Sequence, residues 1–101
     1  MQTYNKLVRD KIPEILDRKG ISYEKRVATA EEYREELIKK LLEEANEFMI
    51  AKNSEELADV IEVIESLKSL SDYSDVEEVR LAKLEEKGGF LDRVILKGQK
   101  D

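Results

Sequence analysis

Hydrophobic and polar positions along this chain repeat with two different periods. From about Ala30 to Ala51, and again from about Glu55 to Leu70, apolar residues return every three or four positions, as on an amphipathic helix. Thr29 with Glu32 has capping-box spacing and opens the first of these long helices, and Asn53 or Ser54 caps the second. Ser74 with Glu77 repeats the box and predicts a third long helix that ends at Gly88-Gly89. Upstream, Asp10 is placed to cap a short helix through "KIPEILDRK", with Pro13 tolerated in its first turn and Gly20 as its stop. "ISYEKRVA" alternates instead, with Ile21, Tyr23 and Val27 on one side, and "FLDRVIL" near the end reads as extended. These two segments could pair into a small two-stranded element. The fold class expected is all-α: a helical bundle in a single domain over residues 1–101, ending in the polar tail "KGQKD". Two amphipathic helices and a short third make a thin core for 101 residues, so completion of the bundle by a homo-oligomer, a dimer or tetramer, is expected.

Composition narrows the chemistry. Charged residues make up 42% of the chain and the net charge is −6, which disfavours direct nucleic-acid binding and requires a cation between this protein and any phosphate it handles. There is no histidine and no cysteine, which removes disulfides, thiol nucleophiles, Ser-His-Asp triads and nearly all zinc sites. Catalysis would have to use carboxylates, amines, guanidinium groups, hydroxyls or a hard metal ion. No apolar run approaches the roughly 20 residues of a membrane span, and the N-terminus lacks the apolar core of a signal peptide, so a cytoplasmic location is expected.

The positions of the acidic residues on their helices are informative. At about 100° per residue, the apolar side chains from Leu37 to Met49 fill an arc of about 140°, and Glu43, Glu44 and Glu47 occupy an adjoining arc of about 100°. Glu44 stands at the rim of the apolar stripe. In the next helix Glu56 falls inside the apolar arc, between Val63 and Leu67, and Asp59 lies about 20° beyond its edge. A charge directed into a core is costly unless it is paired or bound to a metal. If "AKNS" turns the chain into an antiparallel hairpin, five carboxylates converge on one seam, where a hard divalent ion such as Mg²⁺ would find oxygen ligands. The plainer alternatives are a solvated acidic face for Glu43 and Glu47, and a first-turn or cap-partner role for Glu56.

Glu43-Glu44-x-x-Glu47 followed by Glu56-x-x-Asp59 resembles the EExxE…ExxD signature of the all-α nucleoside triphosphate pyrophosphohydrolases, the MazG-like and phosphoribosyl-ATP pyrophosphohydrolase-like superfamily. "YNKLVRDKIPEIL" and "KLEEKGGFLDRVIL" resemble the two ends of one small single-domain branch. The resemblance implies an oligomeric helical fold and Mg²⁺-dependent cleavage of a nucleotide between its α and β phosphates, giving a monophosphate and pyrophosphate. Clearance of noncanonical nucleotides is one such role, and the histidine-pathway step on phosphoribosyl-ATP is another. Carried onto this chain, Glu43, Glu44, Glu47, Glu56 and Asp59 become metal ligands or water-orienting groups, and Glu62 is a weaker addition. A carboxylate not saturated by metal, Glu44 or Glu47, would accept the proton of the water. Lys83, Lys87, Arg80, Arg9 and Lys6 are the candidates to hold substrate phosphates. Tyr4, Tyr23, Tyr33, Phe48, Tyr73 and Phe90 are the aromatics that could stack on a base, and Asn5 could bond its edge. A different class of function, a non-catalytic helical module with an acidic face for a basic partner, would leave Mg²⁺ without effect.

Overall fold

The computed structural model describes residues 5–99, in which the chain forms α1 (Ile12–Arg18), α2 (Ala30–Ala51), α3 (Ser54–Lys68), a 3-10 turn η1 (Ser71–Tyr73) and α4 (Val76–Lys87). Tyr4 and the last two tail residues lie outside the described residues. No strand is present among the described residues, so the two-stranded element expected from segments 21–27 and 90–96 does not form. The alternation there is shallow: Val27, Phe90, Leu91 and Ile95 are all more than nine-tenths exposed. Tyr23 is occupied locally, donating from its hydroxyl to Asp17 at 2.7 Å.

Side-chain caps set the start of the two long helices. Thr29 Oγ1 accepts from the Glu32 amide at 3.2 Å, and Asn53 Oδ1 accepts from the Glu56 amide at 2.9 Å. The Glu32 carboxylate is also held by both terminal guanidinium nitrogens of Arg26 at 2.6 Å. Elsewhere the caps differ from expectation. The residue before α1 is Lys11, without a side-chain cap, so Asp10 does not cap this helix; Pro13 sits in the first turn. The N-cap of α4 is Asp75 rather than Ser74, because the chain first closes the 3-10 turn at Ser71–Tyr73, with the Ser74 amide bonded back to Ser71.

Between α2 and α3 the chain reverses in two residues. Lys52 adopts the left-handed conformation, with φ 54°, and donates its amide to the Phe48 carbonyl at 2.7 Å; Asn53 then caps α3. The result is an antiparallel hairpin whose seam buries Leu37 and Val63. Residues 6–12 lie along this hairpin, with Leu7, Val8 and Ile12 lining the same groove as Leu37 and Val63. Substantial contacts between elements are confined to α2 with α3 and α3 with η1. Ion pairs add Arg34 to Asp72 at 2.8 Å and Lys68 to Glu77 at 3.0 Å.

Among the described residues the helices do not close into a bundle within one chain. The radius of gyration is 18.0 Å, against about 13 Å for a globular domain of this length. The accessible surface is 9659 Å², whereas a folded monomer of this mass exposes about 5,900 Å². Ile38, Leu42, Met49, Ile61, Leu81 and Leu84 are among the large apolar side chains left in water.

The hairpin rests on its caps. Thr29→Ala and Asn53→Ala are each expected to lower stability by about 1 kcal/mol, read as a shift of the urea midpoint at constant slope. A loss at Thr29 larger than that at Asn53 would contradict the central place given to the reversal.

Candidate metal centre

The two-residue reversal determines which side chains face one another. Glu44 and Asp59 pair across it with the same offset as Glu47 and Glu56: in each pair the α2 residue lies two positions further from the turn than its α3 counterpart. The helical period returns Glu44 and Glu47 to one side of α2, and Glu56 and Asp59 to one side of α3. Carboxylate oxygens of Glu44, Glu56 and Asp59 accordingly lie within 4.8 Å of one another.

Burial makes this arrangement unusual. Glu44 is the buried charged residue of the chain's described part, with 8% of its surface exposed. Its nearest cation is the largely buried Lys40 ammonium, 3.6 Å from Oε1. Glu44 Oε2 is enclosed and has no hydrogen-bond partner, and Glu56 Oε2 is in the same condition. Such oxygens are destabilising while ionised and empty-handed.

Both groups respond in the expected direction. Burial pushes the Glu44 carboxyl above its ordinary value; the charge of Glu47, then Asp59, adds to the effect, and Lys40 opposes it. Burial also raises Glu56, reinforced by Glu47 and Asp59. Glu56 sits in the first turn of α3, where the helix dipole favours a negative charge. Desolvation and like charge outweigh that preference.

Around this centre are two ion pairs from the N-terminal segment. Arg9 donates to Asp59 Oδ1 at 2.7 Å, and Lys6 to Glu43 Oε1 at 3.3 Å. Lys6, Arg9, Lys11 and Lys40 line a groove of 580 Å³ together with Glu44, Asp59 and Glu62. The structure therefore gathers Glu44, Glu56 and Asp59, sets Glu47 within electrostatic reach, and leaves Glu43 at the margin paired to Lys6. Glu62, the weaker addition, is exposed at the groove and is not one of the three carboxylates that converge.

The basic candidates divide. Lys6 and Arg9 are at the groove. Arg80 is paired with Glu77 along α4, and Lys83 and Lys87 are exposed on that helix, which contributes nothing to the groove. Of the aromatics, Tyr33 lines the groove, while Phe90 is fully in solvent. Lys40 was not anticipated as a site residue. Its signal was its i, i+4 spacing to Glu44 on a helix rim.

Comparison with family models, curated proteins and solved structures found no match to this chain.

The raised carboxyls give a pH dependence of definite sign. Glu44 and Glu56 keep their protons to higher pH folded than unfolded. Between the ordinary value of 4.5 and their raised values the folded chain binds more protons, so stability falls as pH rises. Glu77, lowered by Arg80 and Lys68, and Glu32, lowered by Arg26, act oppositely, losing their contribution only as pH falls below 4.5. In chelator, the urea midpoint should climb as pH is lowered from above the raised carboxyl values toward 4.5, and a Glu44→Gln, Glu56→Gln variant should flatten the slope. A wild-type midpoint that drops over this range would contradict the assignment.

Proposed function

We propose that this protein is a Mg²⁺-dependent nucleotide pyrophosphohydrolase, cleaving a nucleoside triphosphate between the α and β phosphates. One observation carries the reading: two enclosed carboxylate oxygens without partners, on Glu44 and Glu56, converge with Asp59. An all-oxygen donor set in a chain without histidine or cysteine suits a hard divalent cation. The sequence pattern Glu43-Glu44-x-x-Glu47…Glu56-x-x-Asp59 and its two flanking blocks support the same reading.

Glu44, Glu56 and Asp59 would hold the ion, with Glu43 and Glu47 beside them. When bound, the ion supplies neutralisation of phosphate charge and acidification of a water molecule. The remaining chemistry is done by the chain. Glu47 is exposed, has no ion pair among the described residues and lies beside Glu44 and Glu56, so it is the carboxylate assigned to take the proton of the attacking water. The water oxygen bonds to the α phosphorus as the bond to the bridging oxygen breaks, and that oxygen leaves with pyrophosphate. Lys6 and Arg9 hold the phosphates. Lys40, largely buried against Glu44, fixes that carboxylate's orientation.

The unclosed bundle supports self-association. The excess accessible surface, about 3,800 Å² over a compact monomer, is on the scale of an obligate interface. A second copy covering the exposed faces of α2, α3 and α4 would complete the core.

Glu56→Gln and Asp59→Asn should each lower Mg²⁺-dependent pyrophosphate release at least about a hundredfold with unchanged helix content by circular dichroism. The assay covers common and noncanonical triphosphates and phosphoribosyl-ATP, with and without Mg²⁺. Wild-type-like release by both variants would overturn the metal assignment, and a wild type inert on the whole panel would overturn the enzyme reading. Sedimentation equilibrium is expected to give a dimer or tetramer at micromolar concentration; a monomer at all concentrations would remove the self-association.

A further inference from the structure

We propose that Lys6 and Arg9 are exchangeable counter-ions: in the metal-free chain they neutralise the carboxylate centre, and when a divalent ion takes those carboxylates they turn to the phosphates of the nucleotide. The inference rests on the pyrophosphohydrolase reading above and adds to it an order of events and a role for the N-terminal segment.

The argument begins with where these two cations are. Arg9 is 2.7 Å from Asp59, a member of the convergent triad, and Lys6 is 3.3 Å from Glu43, the sequence neighbour of Glu44. Arg9 therefore sits on a carboxylate of the centre that a divalent ion would use, and Lys6 on one at its margin. A guanidinium or ammonium and a divalent cation sharing this cluster repel at that range, so each weakens the other's hold.

Lys40 makes the contrast. It too faces the centre, but its side chain is 18% exposed and its partner Glu44 10%. Moving it would leave a buried charge unpaired on each side. The side chains of Lys6 and Arg9 are 47% and 58% exposed, on long stems that swing through water. Exposed pairs of this kind are weakly held. The backbone between them need not leave, since Leu7 and Val8 remain against the groove wall. The centre is thus built with one fixed cation and two releasable ones.

Their destination follows from chemistry. A triphosphate carries several negative charges, and planar guanidinium groups bind phosphate oxygens in pairs. Two cations already lining the groove, freed from carboxylates, are what an anionic tail would meet. In a chain with net charge −6, an anionic substrate entering a metal-free centre would meet unneutralised carboxylates and, apart from Lys11, cations already paired to carboxylates. The exchange makes anion binding conditional on the metal.

The test uses the full chain and MgCl₂ alone, followed by an α,β-methylene triphosphate as the non-hydrolysable probe. By calorimetry, a Lys6→Gln, Arg9→Gln variant should bind Mg²⁺ about two- to thirtyfold more tightly than wild type, the competition two exposed ion pairs can exert. It should bind the triphosphate probe more weakly in saturating Mg²⁺. In the wild type, the side-chain NMR signals of Lys6 Nζ and Arg9 Nε should shift on adding Mg²⁺ and shift again with the probe. Mg²⁺ binding that is unchanged or weaker in the variant, or side-chain signals of Lys6 and Arg9 unmoved by Mg²⁺, would overturn the exchange while leaving the metal centre standing. No Mg²⁺ binding to wild type or variant, with helix content intact in both, would instead remove the metal reading and the exchange together.

Discussion

The reversal at Lys52 and Asn53 is the constraint on which the rest depends. One residue in the left-handed conformation ends α2, and the next caps α3. With no further residues in the turn, the facing positions of the two helices are determined. The same register that sets Leu37 and Val63 into one seam sets Glu44 opposite Asp59 and Glu47 opposite Glu56. An inserted residue would rotate one helix against the other by about 100° and scatter these groups. Core and charge cluster are therefore products of a single geometry, and neither can be changed without the other.

That coupling explains why the cluster persists despite its unfavourable electrostatics. Most acidic residues here are solvated: Glu31, Glu35 and Glu55 are exposed, as a highly charged small protein would have them. Glu44 and Glu56 differ because hydrophobic packing carries them into the seam, where burial and mutual repulsion raise both carboxyls. A single ammonium from Lys40 cannot satisfy two such groups. Arg9 and Lys6 relieve Asp59 and Glu43 at the edge but do not reach the enclosed oxygens. What remains is a deficit of positive charge at one point, approached from water by a groove. That deficit is what the proposed divalent ion would fill.

Much of this was legible in the sequence, for local reasons. The ends of α2 follow from Thr29 and from the break before Asn53, and helical periodicity alone placed Glu56 inside an apolar arc. What was not legible depends on contacts remote in sequence. The N-terminal segment reads as an uncapped stretch before a short helix, and nothing local says that Lys6 and Arg9 will reach residues more than thirty positions away. The shallow alternation of residues 21–27 resembled a strand because period-two spacing over so few residues cannot be told from chance. Lys40 escaped notice because a lysine at the rim of an amphipathic helix ordinarily extends to water. Only the carboxylate one turn further on distinguishes it.

The helix α4 carries the remaining tension. Its basic residues Arg80, Lys83 and Lys87 belong to a block resembling part of a phosphate-handling enzyme, yet within one chain they do not approach the groove. Its apolar side chains Val76, Val79, Leu81 and Leu84 are equally without a wall to pack against. The self-association proposed above would resolve both. A helix with an uncovered apolar stripe is stable only when that stripe is buried, and the hairpin of the same chain presents exposed Ile38, Leu42 and Ile61 for the purpose. Docking α4 of one copy on the hairpin of another would bury both stripes at once. It would also be the route by which the α4 cations could act at a carboxylate centre that their own chain does not bring near them.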